Sequence, residues 1–424
     1  MKATVFIFLL MCLLALNNLK STAQILNPKK VLERKAINKT NTIINKKADQ
    51  VLDSLVDTKS QPKANEVKAK EVKPQNDTVI KASANTQPSL ETYSKFDFIP
   101  GEKIIFYDDF SKDNVGDFPV LWNTNGSAEV VTSNLFPGKW LKIIGRNSVW
   151  TDQLFELPDN YTIEYDVLPI KGENGAMAGY DFRLLQSINA KSFDYGAVPG
   201  KAGYLFSCGY SGRPGYRTYI NGDEGQGLWL SGYKDDKEFF QTMNQKYHIA
   251  IWVQKARVRL YLNANKLFDL PKAFPVTSVK MDRIRFEDGA LMLSNVRIAV
   301  GNPDMRSKLI TEGKLVSYGI YFDVNSDAVK PESYATLKNI ADVLKENPDV
   351  KILIVGHTDA DGNDIANLDL SKRRAAAVKT ELIKSFAIAA ARIETDGKGE
   401  SQLIAPNDSP SNKALNRRVE FVKQ

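Results

Sequence analysis

The sequence predicts a multidomain chain. An all-β jelly-roll sandwich is followed by an α/β domain of βαβαβ order, both behind a signal peptide and a helical and disordered N-terminal segment. Three observations predict this. Between residues 96 and 300, short runs alternate apolar and polar positions and break at Gly, Pro, Asn and Asp, the period-two pattern of strands and turns. Beyond residue 314 the apolar spacing switches to helices alternating with strands. Before residue 96 a short apolar run gives way to Lys-, Asn- and Gln-containing sequence. A length of 424 residues gives room for two or three domains.

Taken in order, residues 1–23 read as an export signal. Lys2 precedes an apolar run from Val5 to Leu16, and Ser21-Thr22-Ala23 offers small residues where a signal peptidase cuts. The run is about twelve residues, too short to cross a bilayer. Cys12 lies inside it and does not follow a lipobox, so a mature chain starting at Gln24 keeps only Cys208, which forms no intrachain disulfide and reads as a buried core residue.

Residues 24–95 divide into a helix and a tether. Ile37, Ile44, Val51, Ala48 and Leu55 recur at intervals of three, four and seven, which predicts an amphipathic helix with an imperfect seam at Asn41. From Lys59 to Lys95 too few large apolar residues remain to offset chain entropy, so this stretch is expected to be disordered. Residues 24–95 hold 14 Lys and Arg against 8 Asp and Glu, most of a formal charge of +7. Such a tail either stays solvated or rests on acidic lipid or glycan. No nucleic-acid motif accompanies it, and membrane association is expected to be indirect.

Residues 96–300 form the predicted sandwich, similar in layout to concanavalin-A-like and laminin-G-like jelly rolls. Candidate strands are Tyr161 to Val167, the hairpin His248–Val253 with Val258–Leu262, and a closing strand from Met292 to Ile298 that pairs with the first strand, Ile104 to Phe110. Lys and Arg on both faces of these strands argue against an outer-membrane barrel. Glu164 and Asp166 make an E-x-D pair. It reads either as a solvated strand face or as half of a glycan hydrolase site, although Leu168-Pro169 replaces the continuation that such a site needs. Asp108, Asp109, Asp113, Asn114 and Asp117 crowd one loop and offer oxygen ligands for structural calcium. Arg213, Tyr216, Arg217, Tyr219, Trp229 and Tyr233 suit either core packing or a sugar-binding platform.

Residues 301–314 read as a linker and 315–424 as the α/β domain. Ile320-Tyr321-Phe322 is expected to be a strand, and Tyr334, Leu337, Ile340, Ala341 and Leu344 mark a helix starting after Pro331. A strand over Ile352–Val355 ends at Gly356, and Ser371 is expected to cap a helix running to Ser385. Asp359 would then lie beyond the strand and Arg374 in the first helical turn, where a cation opposes the helix dipole. Free helix N–H groups and a guanidinium facing an aspartate suit a zwitterion. A plain Asp359–Arg374 salt bridge is the other reading. His357 has no partner at a metal spacing.

Five ordered blocks carry a resemblance: Tyr321-Phe322-Asp323-Val324-Asn325, Gly356-His357-Thr358-Asp359 with Gly362, Asn367 ahead of Leu370-Ser371-x-x-Arg374-Ala375, Gly397-Lys398-Gly399-Glu400, and Asn416-Arg417-Arg418-Val419-Glu420. Together they resemble the OmpA-like peptidoglycan-binding family. Lys413 stands where an arginine is common. The resemblance implies that Asp359 and Arg374 hold the amine and carboxylate of diaminopimelate in the peptidoglycan stem peptide, with Asn325, Asn367, Thr358 and Arg418 as further ligand contacts. It implies a non-enzymatic envelope protein, periplasmic or outer-membrane-associated, with peptidoglycan as one partner, and the sandwich is expected to meet a second, a glycan or an envelope protein. No cofactor, catalytic residue or metal ligand is assigned. A wall-anchored glycan hydrolase, active in the sandwich, is the alternative.

Overall fold

The computed structural model describes residues 96–424, apart from 190–191, 193–197, 222–226, 275–278 and 302–303. The expected export signal (1–23) and the helix and tether (24–95) lie outside the described residues.

Most of the described chain is β. The first four strands are β1 (Lys103–Asp108), β2 (Trp122–Thr124), β3 (Ala128–Thr132) and β4 (Lys139–Thr151). Next come β5 (Asn160–Pro169), β6 (Tyr180–Gln186), β7 (Ala202–Cys208), β8 (Pro214–Ile220) and β9 (Gly227–Tyr233). The series closes with β10 (Tyr247–Gln254), β11 (Arg257–Leu262), β12 (Asn265–Leu270) and β13 (Arg283–Val300). They form one curled sheet in the order β12-β11-β10-β5-β13-β6-β7-β8-β9, with β1 and β4 also along β13 and β2 and β3 on β4.

The curl comes from β13. β5 and β6 pair along the same edge of this strand, on either side of a break between Glu287 and Gly289. Asp288 is left-handed there (φ 49°), and Asn295 (φ 53°) sits in a second irregularity. Extra residues of this kind bend a strand and increase its twist. The two halves therefore meet face to face. Tyr165 of β5 stacks on Phe182 of β6 at 5.1 Å, and Phe286 meets the Tyr165 ring edge-on at 5.0 Å. The β10–β11 hairpin has the expected register, with Ile249 opposite Leu262, Ile251 opposite Leu260 and Val253 opposite Val258. β1 pairs with the end of β13. Cys208 is buried in this core, and burial pushes its thiol up to about 12.

The C-terminal part contains β14 (Lys314–Ser317), α1 (Tyr334–Glu346), β15 (Ile352–His357), α2 (Asp364–Phe386), β16 (Ile393–Gly399), α3 (Pro410–Asn416) and β17 (Val419–Lys423). Its sheet runs β14-β17-β15-β16, with β15 and β16 parallel and the other pairs antiparallel. Leu337, Ile340, Ala341 and Leu344 of α1 share one core with Ile352, Ile354 and Phe421, and Met305 and Leu309 enter it from the connecting segment.

Two local expectations fail. Ile320–Phe322 is no ladder strand. Tyr321 donates its N–H to Ser333 Oγ and accepts from Lys330 N, so the neighbouring turn satisfies its backbone in place of a sheet. Nor does α2 start at Ser371. Asn363 caps it by accepting from the N–H groups of Ile365 and Ala366. Ser371 lies two turns inside, where its Oγ donates to the Leu368 carbonyl and accepts from Gly399 N. Arg374 is consequently in the third turn, and the dipole argument for its placement does not apply.

The two parts are packed together. Phe96 and Phe98 lie with Tyr261 and Ala250 of the curled sheet and Ala335 of α1, while Ile104 and Ala299 meet Ala414 of α3.

Candidate functional site

A cavity of about 460 Å³ opens where the carboxyl end of β15 faces the curled sheet, and both parts line it. Its floor depends on close helix–strand approach. A Cβ on Gly356 would come within 2.2 Å of the Ser371 carbonyl oxygen, so only glycine lets α2 lie this near β15. That contact brings the chain beyond β15, carrying Thr358 and Asp359, beside the third turn of α2, carrying Arg374.

Arg374 projects from α2 into the loop after Ile320. Its Nε donates to the Ser326 carbonyl at 2.9 Å, its Nη2 to that of Asp323 at 3.3 Å, and its guanidinium lies 4.8 Å over the Phe322 ring. Asn325 turns the loop in the left-handed region (φ 57°), which asparagine tolerates. Among the described residues no carboxylate lies within ion-pair distance of Arg374. Burial, reinforced by the nearby Arg417 charge, lowers its guanidinium to about 10. A cation so placed gains from an anionic partner.

Asp359 is not bridged to Arg374. Its Oδ2 accepts from Arg417 Nη1 at 2.6 Å and its Oδ1 from Asp361 N at 3.2 Å. The simple Asp359–Arg374 salt bridge is therefore excluded in this structure. Asn367, nearly buried, donates to Glu400 Oε2 at 2.6 Å and to the Asp361 carbonyl at 3.1 Å, bracing the loop after β15. The Thr358 hydroxyl is buried, lines the cavity and has no protein partner. Arg418 is turned inward. Its guanidinium is committed to Glu420 at 2.9 Å and to the carbonyls of Gln402 and Asn416.

The opposite wall corrects a second expectation. The Glu164 and Asp166 face of β5 is neither solvated nor an open hydrolase cleft, because the C-terminal part covers it. Tyr321 donates its hydroxyl to Glu164 at 2.5 Å, Asn295 its amide to Asp166 at 2.9 Å, and the His248 ring lies 2.8 Å from Asp166. Arg297 adds a guanidinium 3.6 Å from Glu164 and donates to the Tyr318 carbonyl. Burial works against charge on His248, yet Asp166 and Glu164 raise it to about 9. In return, and again against burial, His248 holds Asp166 below the ordinary carboxylate range.

The acidic loop after β1 does not converge on a metal. Burial pushes Asp108 up to about 7, where it accepts from Trp122 Nε1 and Phe110 N, while Asp113 accepts from Val120 N. Asp117 accepts from Asn114, and Asp109 faces Arg417. No three His, Cys, Asp or Glu among the described residues are placed to hold a cation. The aromatic segment is divided. Tyr219 is buried, Tyr216 packs on Phe268, and Trp229 and Tyr233 are exposed on β9, with Arg213 lying 3.2 Å over the Tyr233 ring. Sequence reasoning passed over Arg417 and the Asp109–Arg417 contact. The spacing of Arg418 and Glu420, two apart at the start of β17, was the available sign that Arg418 points inward and Arg417 does not.

Sequence similarity to known proteins lies in this C-terminal part. Residues 321–417 match the OmpA family. These residues are an OmpA family domain. Over 111 residues the chain is 39% identical to outer membrane porin F of Pseudomonas aeruginosa, covering 26% of this chain and 32% of that protein. It is 38% identical over 103 residues to the peptidoglycan-binding protein ArfA of Mycobacterium tuberculosis, covering 24% of this chain and 31% of ArfA. The chain thus spans about a third of the length of these relatives. The solved peptidoglycan-associated lipoprotein of Burkholderia pseudomallei is 34% identical, with a TM-score of 0.24, covering 25% of this chain and 88% of that one. Among the described residues no helix is long and apolar enough to cross a membrane.

Proposed function

We propose that this is an exported, non-enzymatic cell-envelope protein whose OmpA domain binds peptidoglycan stem peptides through diaminopimelate. The observation that carries the reading is the half-buried Arg374 guanidinium, held by backbone carbonyls with no carboxylate among the described residues at ion-pair distance, in a cavity that also presents Asp359. A ligand carboxylate on Arg374 and its ammonium near Asp359 would satisfy both. Asn325 and Thr358 line the same cavity, and Asn367 and Arg418 brace it. Residues 1–23 would direct export and 24–95 would tether the folded part. Binding of one stem peptide would be weak, on the order of micromolar to millimolar, and the repeating wall would convert it to avidity.

Sedimentation with purified sacculi tests this. Wild type is expected to pellet with the wall, and Asp359→Ala and Arg374→Ala to stay in the supernatant. If both variants pellet like wild type, the assignment is wrong. The curled sheet is proposed to be a jelly roll that meets a second partner, glycan or protein, along the exposed β9 edge. Loss of that partner in Trp229→Ala would support this role.

A further inference from the structure

We propose that Asp109, on the curled sheet, is a second carboxylate of the ammonium pole of this crevice, so that the two domains together grip the ligand. The inference rests on the reading above and deepens it. Arg417 Nη1 lies 2.6 Å from Asp359 Oδ2, Arg417 Nη2 lies 3.7 Å from Asp109 Oδ2, and the guanidinium is 5.1 Å from the Tyr107 ring centroid. Two carboxylates share one guanidinium, which leaves one negative charge uncompensated at the seam between the domains. Arg374 presents the reverse, a cation without a carboxylate. Two other carboxylates of the cavity are ion-paired, Asp361 with Lys413 at 2.5 Å and Asp323 with Lys246 at 3.0 Å.

The cavity is thus polarised, negative at the seam and positive on α2. An α-amino-acid end, with its ammonium beside its carboxylate, has the complementary charge pattern. Thr358 points to a ligand independently. Its hydroxyl, on a residue only 4% exposed, lines this cavity and lacks any protein partner, and buried hydroxyls are seldom left so. Asp109 is held in place. Its Oδ1 accepts from Ser111 N, and β1 is fastened to α3 where Tyr107 N donates to Ser411 Oγ at 2.9 Å and Ser411 Oγ donates back to the Tyr107 carbonyl.

Calorimetric titration of the full chain with two probes tests the inference: meso-diaminopimelate, and pimelate, which has the same carbon chain and carboxylates without the ammonium groups. Wild type should prefer diaminopimelate. Asp109→Asn keeps the side-chain size and the bond from Ser111, and it should weaken diaminopimelate binding about tenfold while leaving pimelate within about twofold. Asp109→Glu should keep most of the preference. Equal losses for both probes would mark Asp109 as merely structural and overturn the inference, as would unchanged diaminopimelate binding. If wild type binds neither diaminopimelate nor sacculi, the reading of the OmpA domain itself fails.

Discussion

The buried charges between the curled sheet and the OmpA domain should make stability fall as pH rises through neutrality. His248 is charged in the folded state because Asp166 and Glu164 raise it to about 9, against 6.5 for an ordinary histidine. A folded-state value above the unfolded one stabilises fully below about 6.5, and that contribution is lost as pH rises towards 9. The full difference corresponds to about 3 kcal/mol, of which about 2 kcal/mol should disappear between pH 7 and pH 9. Urea unfolding followed by tryptophan fluorescence at pH 6, 7, 8 and 9 measures it. Asp108, raised to about 7 by burial, adds a slope of the same sign at lower pH. The comparison that isolates the histidine is therefore His248→Gln under the same buffers. The variant should lose stability at pH 6 and show a flatter profile above pH 7. A wild-type profile flat from pH 7 to 9, or an equally steep one in His248→Gln, would refute the reasoning.

Tyr321→Phe removes the hydroxyl that donates to buried Glu164, and chemical denaturation should show a loss of about 1.5–3 kcal/mol, as for a bond to a charged acceptor. Gly356→Ala forces a methyl group against the Ser371 carbonyl, so α2 must move away from β15; a loss of about 1–3 kcal/mol is expected, with weaker sacculus binding in the same protein. The Cys208 thiol, buried and raised to about 12, should resist thiol-reactive probes at pH 8 in the native protein and react on unfolding, measured in a Cys12→Ser background.

Much of this architecture can be read from periodicity. Alternation at Ile249, Ile251 and Val253 sets the β10–β11 register, and the spacing of Leu337, Ile340, Ala341 and Leu344 marks the buried face of α1. What periodicity cannot supply is the partner of a polar face. Glu164 and Asp166 alternate with core residues as an outward strand face would, yet both are buried, facing His248, Asn295 and Arg297 of the curled sheet and Tyr321 of the OmpA domain. The start of α2 was hidden by competition between caps: Ser371 stands before an apolar stretch, but Asn363 ahead of Asp364 makes the cap. Arg417 and Arg418 are adjacent and both line the crevice, and only the two-residue step from Arg418 to Glu420 separates the arginine committed to Glu420 from the one that reaches Asp359 and Asp109.

The way the chain enters the folded region has a mechanical consequence. Phe96 and Phe98 are anchored in the same cluster as Ala335 of α1, and Pro100 lies against Gly319, so the incoming segment is wedged at the OmpA domain before the curled sheet begins. If the OmpA domain holds the wall as proposed, tension from the preceding chain would cross this wedge over a few residues. The curled sheet hangs beside that load path as a closed loop and would keep its shape while the wedge bears the pull.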